Sequence, residues 1–404
     1  MAGSRRISGT ILKRVLPIVA ATSFLGFCAH ARAVYAPIPE FEQGKDITIS
    51  IQAGISYNTN IFGAASGAIG SFDFLVSPKI AFNQSVTNQT FFSAYYNPSL
   101  DYFDKRPGTK ALYSQALDAR LAHSFSQSSV LDLDDKYSYN QNPESLLAGA
   151  PVNTDQTLQS NEFNGRYTFA PTGQLGMVLK ARSVYYDYTN PVLGSVLNRF
   201  ENLYGMEFDY TLEPKLKAAG EYRHQDVDYS SSPSTNNKHS DFLMAGFDYS
   251  VGPQLSASVR VGGEYRQRAG LSTETTPYAE ISGKYDYAKG SFVSVGYTYS
   301  LEETSNPLLF TDEKLNRIFA NIQHSFTPLI VGSASIDYEP AALNGRPGQA
   351  NINEDSTHAG VAVTYLPGKN WSVTASYDYD YVDSGLSDRG MNRSRVGVSA
   401  RVQF

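Results

Sequence analysis

The chain closes on RSRVGVSARVQF, Arg393 to Phe404. Here Val396, Val398, Ala400, Val402 and Phe404 alternate one for one with Arg395, Gly397, Ser399, Arg401 and Gln403. A period of two puts each set on one face of a β-strand. One face is therefore apolar and the other charged or small and polar, which is the pattern of a wall with hydrocarbon on one side and water on the other.

The pattern repeats upstream. Trp371, Val373, Ala375, Tyr377, Tyr379 and Tyr381 alternate with Ser372, Thr374, Ser376, Asp378 and Asp380; Leu255, Ala257, Val259 and Val261 alternate with Ser256, Ser258 and Arg260; Ile47, Ile49, Ile51, Ala53, Ile55 and Tyr57 alternate with polar residues or glycine. These runs exceed the usual strand of ~5–6 residues and suit a tilted membrane crossing of about 9–11. Counting them predicts about eighteen strands, with a range of roughly 16–20. Short turns such as Glu213-Pro214, Gly252-Pro253, Lys289-Gly290 and Thr327-Pro328 alternate with longer polar segments such as 58–71, 140–156, 187–197 and 341–354. The expected fold is all-β: a transmembrane antiparallel up-and-down β-barrel with short periplasmic turns and longer extracellular loops. A soluble sandwich or propeller would need an apolar set for a second packed layer, and one face of almost every run is polar or charged. The apolar faces also grade from aliphatic in the middle to Tyr, Phe and Trp near the ends, as girdles at two lipid interfaces require.

The first residues read as an export signal. Arg5, Arg6, Lys13 and Arg14 precede the short apolar run Val15 to Phe27, and Ala31-Arg32-Ala33 offers a small-x-small cleavage site. The expected organisation is a signal peptide over 1–33, a periplasmic lead-in over 34–46 and the barrel over 47–404. Cleavage removes the single cysteine, Cys28, so no disulfide holds the mature fold. With 33 Lys and Arg interspersed among 39 Asp and Glu, a net charge of -6 gives no basic stripe, and nucleic acid is excluded as a partner.

Two short stretches carry resemblances. Ser56-Tyr57-Asn58-Thr59-Asn60-Ile61-Phe62 resembles the opening segment of the β-barrel porin 2 family, which implies a bacterial outer-membrane barrel and brings no catalytic residues with it. The terminal Phe404 behind Val398, Ala400 and Val402 resembles the C-terminal signal read by the barrel-assembly machinery, which implies that machinery as a partner during insertion into outer-membrane lipid.

Parity also assigns a lumen. Its basic candidates are Lys79, Arg120, Arg166, Lys180, Arg182, Arg260, Arg266, Lys284, Arg317, Arg393, Arg395 and Arg401; its acidic ones include Glu207, Glu264, Glu280, Asp337, Asp378 and Asp380. Many should pair across strands, Asp378 and Asp380 with Arg393 and Arg395 on the last hairpin. A near balance of sign predicts weak ion selectivity. The expected function is passive diffusion of small hydrophilic solutes. The alternatives are a non-conducting structural or surface-interaction barrel, with its mouth constricted by 140–156, and a sugar or polysaccharide channel using Phe91, Tyr95, Phe292 and Phe319 as stacking platforms. No enzyme, cofactor or metal site is expected: His224 and His239 could approach one another, but two His without a third ligand do not make a metal site. Two features sit awkwardly. Pro78 and Pro98 fall inside strands, where a bulge or shifted boundary is expected, and Asp135 has lipid-facing parity, which calls for the rim or a bulge that re-aims it.

Overall fold

The computed structural model describes residues 46–141, 156–230, 234–252, 254–304 and 306–404. The export segment, the lead-in up to 45 and the centre of the 140–156 loop lie outside them. The strands are β1 (Ile47–Asn58), β2 (Ser71–Ser85), β3 (Thr90–Phe103), β4 (Ala111–Ser126), β5 (Ser129–Asn140), β6 (Leu158–Phe169), β7 (Leu175–Tyr188), β8 (Arg199–Glu213) and β9 (Leu216–Tyr229). They continue as β10 (Lys238–Val251), β11 (Leu255–Arg268), β12 (Glu274–Ala288), β13 (Ser291–Glu302), β14 (Phe310–Thr327), β15 (Ile330–Gly345), β16 (Ile352–Gly368), β17 (Trp371–Ser384) and β18 (Met391–Gln403).

Each strand pairs antiparallel with its sequence neighbours, and β1 pairs with β18 from Ser50↔Gln403 to Asn58↔Arg395. The eighteen-stranded sheet therefore has no edge. Closure is obligatory in hydrocarbon, where an unpaired backbone amide finds no water. The closing strand behaves as its alternation predicts: Val396, Val398 and Phe404 are exposed outside, while Arg393 and Gln403 are buried within. Outward aromatics form two belts. Tyr210, Tyr249, Phe326, Tyr365 and Trp371 lie toward the short turns, and Tyr57, Phe72, Tyr102, Phe200 and Tyr265 toward the long loops.

Pro78 and Pro98 produce neither a bulge nor a shifted boundary. The β2–β3 register runs through Val76↔Leu100 and resumes unchanged at Ile80↔Tyr96, with only the ladder between them interrupted. The two prolines face each other there, so the missing N–H groups coincide in one gap. Side chains fill it: Asn97 Nδ2 donates to the Pro78 carbonyl at 2.8 Å and to Ser77 Oγ at 2.7 Å, and Ser77 Oγ donates to the Pro98 carbonyl at 3.2 Å.

Asp135 likewise keeps its outward parity. The registers Ala119↔Asp135 and Asp135↔Phe163 are unshifted, and the carboxylate accepts from Asn161 Nδ2 at 3.1 Å. A further difference concerns the segment 187–197, expected as a polar loop. It contains the helix α1 (Pro191–Leu197), with Asn190 as N-cap accepting from the amides of Val192 and Leu193 and Pro191 at its start. An Asn-Pro start is a recognisable helix signal, too short here to show a period.

Candidate transport lumen

Inward side chains form three tiers. Nearest the short turns they are mostly hydroxyls, including Ser50, Ser294, Thr364 and Ser372, all buried. Across the middle they are charged. Toward the long loops they become apolar: Leu112, Leu158, Val184, Val227, Leu343, Val382 and Met391 are buried in an inner collar.

All of the predicted lumen charges occupy inward register positions. On β2, Lys79 sits over the Tyr95 ring at 4.4 Å from its centroid. On β4, Arg120 grips Asp132 through Nε at 2.8 Å and Nη2 at 2.5 Å. Arg166 lies between Asp132 and Lys180 in register and has no ion-pair partner among the described residues. Lys180 bridges Glu207 at 2.7 Å and Glu221 at 2.8 Å, and Arg182 contacts Glu162 at 3.3 Å. Arg260 reaches Asp248 at 2.8 Å and Glu207 at 3.5 Å. Glu264 takes Arg266 at 2.7 Å, Glu280 faces Arg223 at 3.7 Å, and Lys284 pairs with Asp286 at 3.0 Å. Arg317 binds Asp337 at 2.6 Å and Glu339 at 3.1 Å.

On the last hairpin, Asp378↔Arg395 and Asp380↔Arg393 are opposite one another as expected, with Arg393 at 2.6 Å and Arg395 at 3.5 Å from Asp380. Arg401 reaches across the seam to Ser50 Oγ at 3.0 Å. Val398, Ala400, Val402 and Phe404 all face outward.

Burial is uneven around this belt. Glu221 on β9 has a fully buried side chain, whereas those of Arg120 and Lys136 on β4–β5 are 36% and 42% exposed, and Lys284 near the periplasmic end is 45% exposed. Water therefore lines the β4–β5 wall and the lower part of β12. On β8–β11 the charges lock one another.

Sequence parity missed what packs against the collar. Leu193 and Leu197 of α1 pack inward on Leu158, Val184, Tyr186 and Tyr188, and Ile61 packs on Phe103 and Leu112. On the other side Glu303, just past β13, binds Lys238 at 2.9 Å, Arg268 at 3.0 Å and the Tyr229 hydroxyl at 2.7 Å. Burial opposes ionisation of Glu303, but the charges of Lys238, Arg268 and Arg266 outweigh it and hold the carboxyl well below the usual range. Arg346, after β15, donates to the Pro307 carbonyl at 2.7 Å and to Asn236 Oδ1. Loops that leave the sheet several strands apart are thus tied over the extracellular mouth.

The resembling stretch at 56–62 fastens the seam. Asn58 Oδ1 accepts the Asn60 amide at 2.9 Å, Asn60 Oδ1 accepts the Ala64 amide at 2.9 Å, and Asn60 Nδ2 reaches the Asn392 carbonyl at 3.4 Å. Thr59 N donates to the Ser394 carbonyl at 3.0 Å, and Ser394 N returns a bond to Thr59 Oγ1 at 2.9 Å.

The remaining candidates have varied surroundings. Tyr95 and Phe292 carry Lys79 and Lys284 on their faces, Phe319 lies against Gly296, and Phe91 is exposed. His224 and His239 take different partners, Asp241 at 2.8 Å and Gln267 at 2.9 Å. Glu207, Asp209 and Asp248 bring carboxylate oxygens within 4.8 Å of one another, with Arg260 already bound to two of them.

An apolar exterior belted by aromatics, a sheet closed on itself and a charged, partly wet interior define a bacterial outer-membrane β-barrel. The family described as "Putative beta-barrel porin 2" matches residues 314–404, which take in most of β14 and all of β15–β18. The stretch at 56–62 lies outside that match. No curated protein matches the chain. Among solved structures it is similar to the outer membrane protein OpdK from Pseudomonas aeruginosa, at 11% identity over 89% of this chain and 99% of that one, with a TM-score of 0.46. Similarity extends to OccK5 (OpdH) from the same organism, at 12% identity over 89% and 98% with a TM-score of 0.47. It also extends to that organism's siderophore receptor PirA, at 8% identity over 89% and 80% with a TM-score of 0.42.

Proposed function

We propose that the barrel is a passive channel for small hydrophilic solutes with weak ion selectivity. The observation that carries this is the water-exposed charged wall of β4–β5, where Arg120 and Lys136 stand beside Asp132 and Asp134. Opposite charges side by side give a permeating ion no strong preference. In this reading residues 1–33 direct export and are removed, 34–46 lead into the barrel, and the assembly machinery reads Val398, Ala400, Val402 and Phe404. The inward charges position solute and water and catalyse nothing. Conductance of the refolded protein in a planar bilayer tests it: discrete steps with a reversal potential near zero in a salt gradient are expected. A correctly inserted, heat-modifiable barrel that stays silent even with its mouth loosened overturns it.

One observation favours a second reading. The loops tied through Glu303 and Arg346 over an apolar collar suit a barrel whose outer surface, rather than its lumen, does the work. Silence of the native barrel with conduction after loosening the mouth would instead mean a gated channel.

A further inference from the structure

The inner wall nearest the short turns is not uniform. On five neighbouring strands its inward side chains are covered: Val331 on β15, Ala362 and Thr364 on β16, Ser372 on β17, Gln403 on β18, and Thr48 and Ser50 on β1 are all buried. Elsewhere the same level is open. Phe91 is inward and, like Thr48, the second residue of its strand, yet it is 38% exposed where Thr48 is 4%, and the inward Ser85 and Lys217 are exposed as well. Inward side chains stand ~4.8 Å apart between strands and ~6.8 Å apart along one, too far for Ser, Ala and Thr to cover one another. Among the described residues no strand reaches across: the extensive contacts between elements join neighbours in the sheet, apart from α1 on β7 and the turn 234–236 on β9, both at the far mouth. Polar partners are missing too. Ser50 Oγ is held by Arg401 at 3.0 Å and Thr364 Oγ1 by Thr374 Oγ1 at 3.0 Å, but Thr48 Oγ1 and both amide atoms of Gln403, which is 2% exposed, have no hydrogen-bond partner among the described residues. Buried polar atoms in native proteins are paired, so this sector calls for a layer with hydrogen-bonding groups of its own.

We infer that residues 34–45 of the exported chain turn back into the periplasmic mouth and dock along this β15–β1 sector. The described chain begins at Asp46, whose carbonyl still accepts the Asn83 amide at 2.8 Å, so the preceding residues leave the sheet beside Thr48 and Gln403. Twelve residues span about 40 Å when extended, whereas five strands ~4.8 Å apart cover about 20 Å, so the segment is long enough. Its chemistry suits the wall. Pro37 and Pro39 favour an extended backbone whose carbonyls are left open, and a side-chain amide with donor and acceptor both unused, as in Gln403, is complementary to a peptide group. Ile38 and Phe41 give Val331 and Ala362 apolar partners. The docked segment narrows the mouth on one side and leaves the β4–β5 wall clear, so the inference stands whether or not the pore conducts.

The test uses the chain as processed in native outer membranes, which carries no cysteine once residues 1–33 are removed. Phe41→Cys is combined with Ser372→Cys on β17, or with Ser85→Cys on β2, the neighbour of β1 on its other side. After oxidation the Ser372 pair should give an intramolecular disulfide in most chains and the Ser85 pair none, whereas a freely swinging tail would reach Ser85 at least as readily. Hydrogen exchange of the unsubstituted protein gives a second readout. The amides of 40–45 should exchange roughly a hundredfold more slowly than in an unstructured peptide, and Gln403→Met, which keeps the volume and removes both polar atoms, should lower that protection about tenfold while the barrel stays heat-modifiable. No Ser372 disulfide, equal cross-linking to both walls, fast exchange at 40–45, or protection indifferent to Gln403→Met would each overturn the inference and leave the sector to a solute or another protein.

Discussion

Single side chains carry loads here that alternation alone does not reveal. Asn97 replaces ladder bonds that two facing prolines cannot make, so Asn97→Leu should leave the Pro78 carbonyl unpaired and cost roughly 1–2 kcal/mol. Urea unfolding in lipid vesicles would read this as a lower midpoint with an unchanged slope. Glu303 has a different task, because it neutralises Lys238 and Arg268, whose side chains are only 2% and 3% exposed. Removing one partner of a buried ionic cluster strands the others, at a cost of about 3–5 kcal/mol. Glu303→Gln should therefore free the loops to protease while the barrel stays folded. The pH dependence follows from the same residue. Its carboxyl ionises below the usual range in the fold, so its stabilisation is complete above the unfolded value of about 4.3 and is lost only as pH falls through the lower, folded value. Protection of the loops from protease should persist at pH 5 and fail in stronger acid.

At the scale of strands and loops, legibility divides sharply. The strands could be read because lipid outside and water inside impose a period of two on every crossing, as in Val396 to Phe404. The prolines at 78 and 98 misled because pairing depends on what the neighbouring strand offers, and Ser77 and Asn97 offer side chains. The mouth was illegible for a related reason: α1 and Glu303 act on partners far away in sequence, and no local period marks such contacts. One hairpin shows how far backbone geometry can constrain sequence. A Cβ at Gly246 would lie 1.7 Å from the Val259 carbonyl oxygen, and one at Gly262 2.0 Å from that of Leu243. The β10 and β11 backbones approach too closely for any side chain there. Gly262→Ala should displace the β10–β11 pairing and lower the temperature at which heat-modifiability is lost, whereas Gly220→Ala, with open space around it, should leave that temperature unchanged.

For the whole molecule, the lower lumen is wet and charge-balanced while the mouth is apolar and tied. Leu197→Asp together with Glu303→Gln should therefore raise single-channel conductance and shorten closed times without moving the reversal potential, since the charged wall below is untouched. Parity in the sequence gives the face of the strand on which each charge sits. The division of these charges into a locked β8–β11 sector and a wet β4–β5 sector was not legible there, because it depends on which neighbours meet around the curve of the barrel. The seam bears on the order of events. Ser50 and Arg401 touch although 351 residues separate them, and the Phe404 amide donates to the Ile49 carbonyl at 2.8 Å. Until the last strand arrives, β1 presents a bare edge that hydrocarbon cannot satisfy. The first strand of the barrel to be synthesised is thus the last to be completed, and a chain that stops short of β18 is left as an open ribbon.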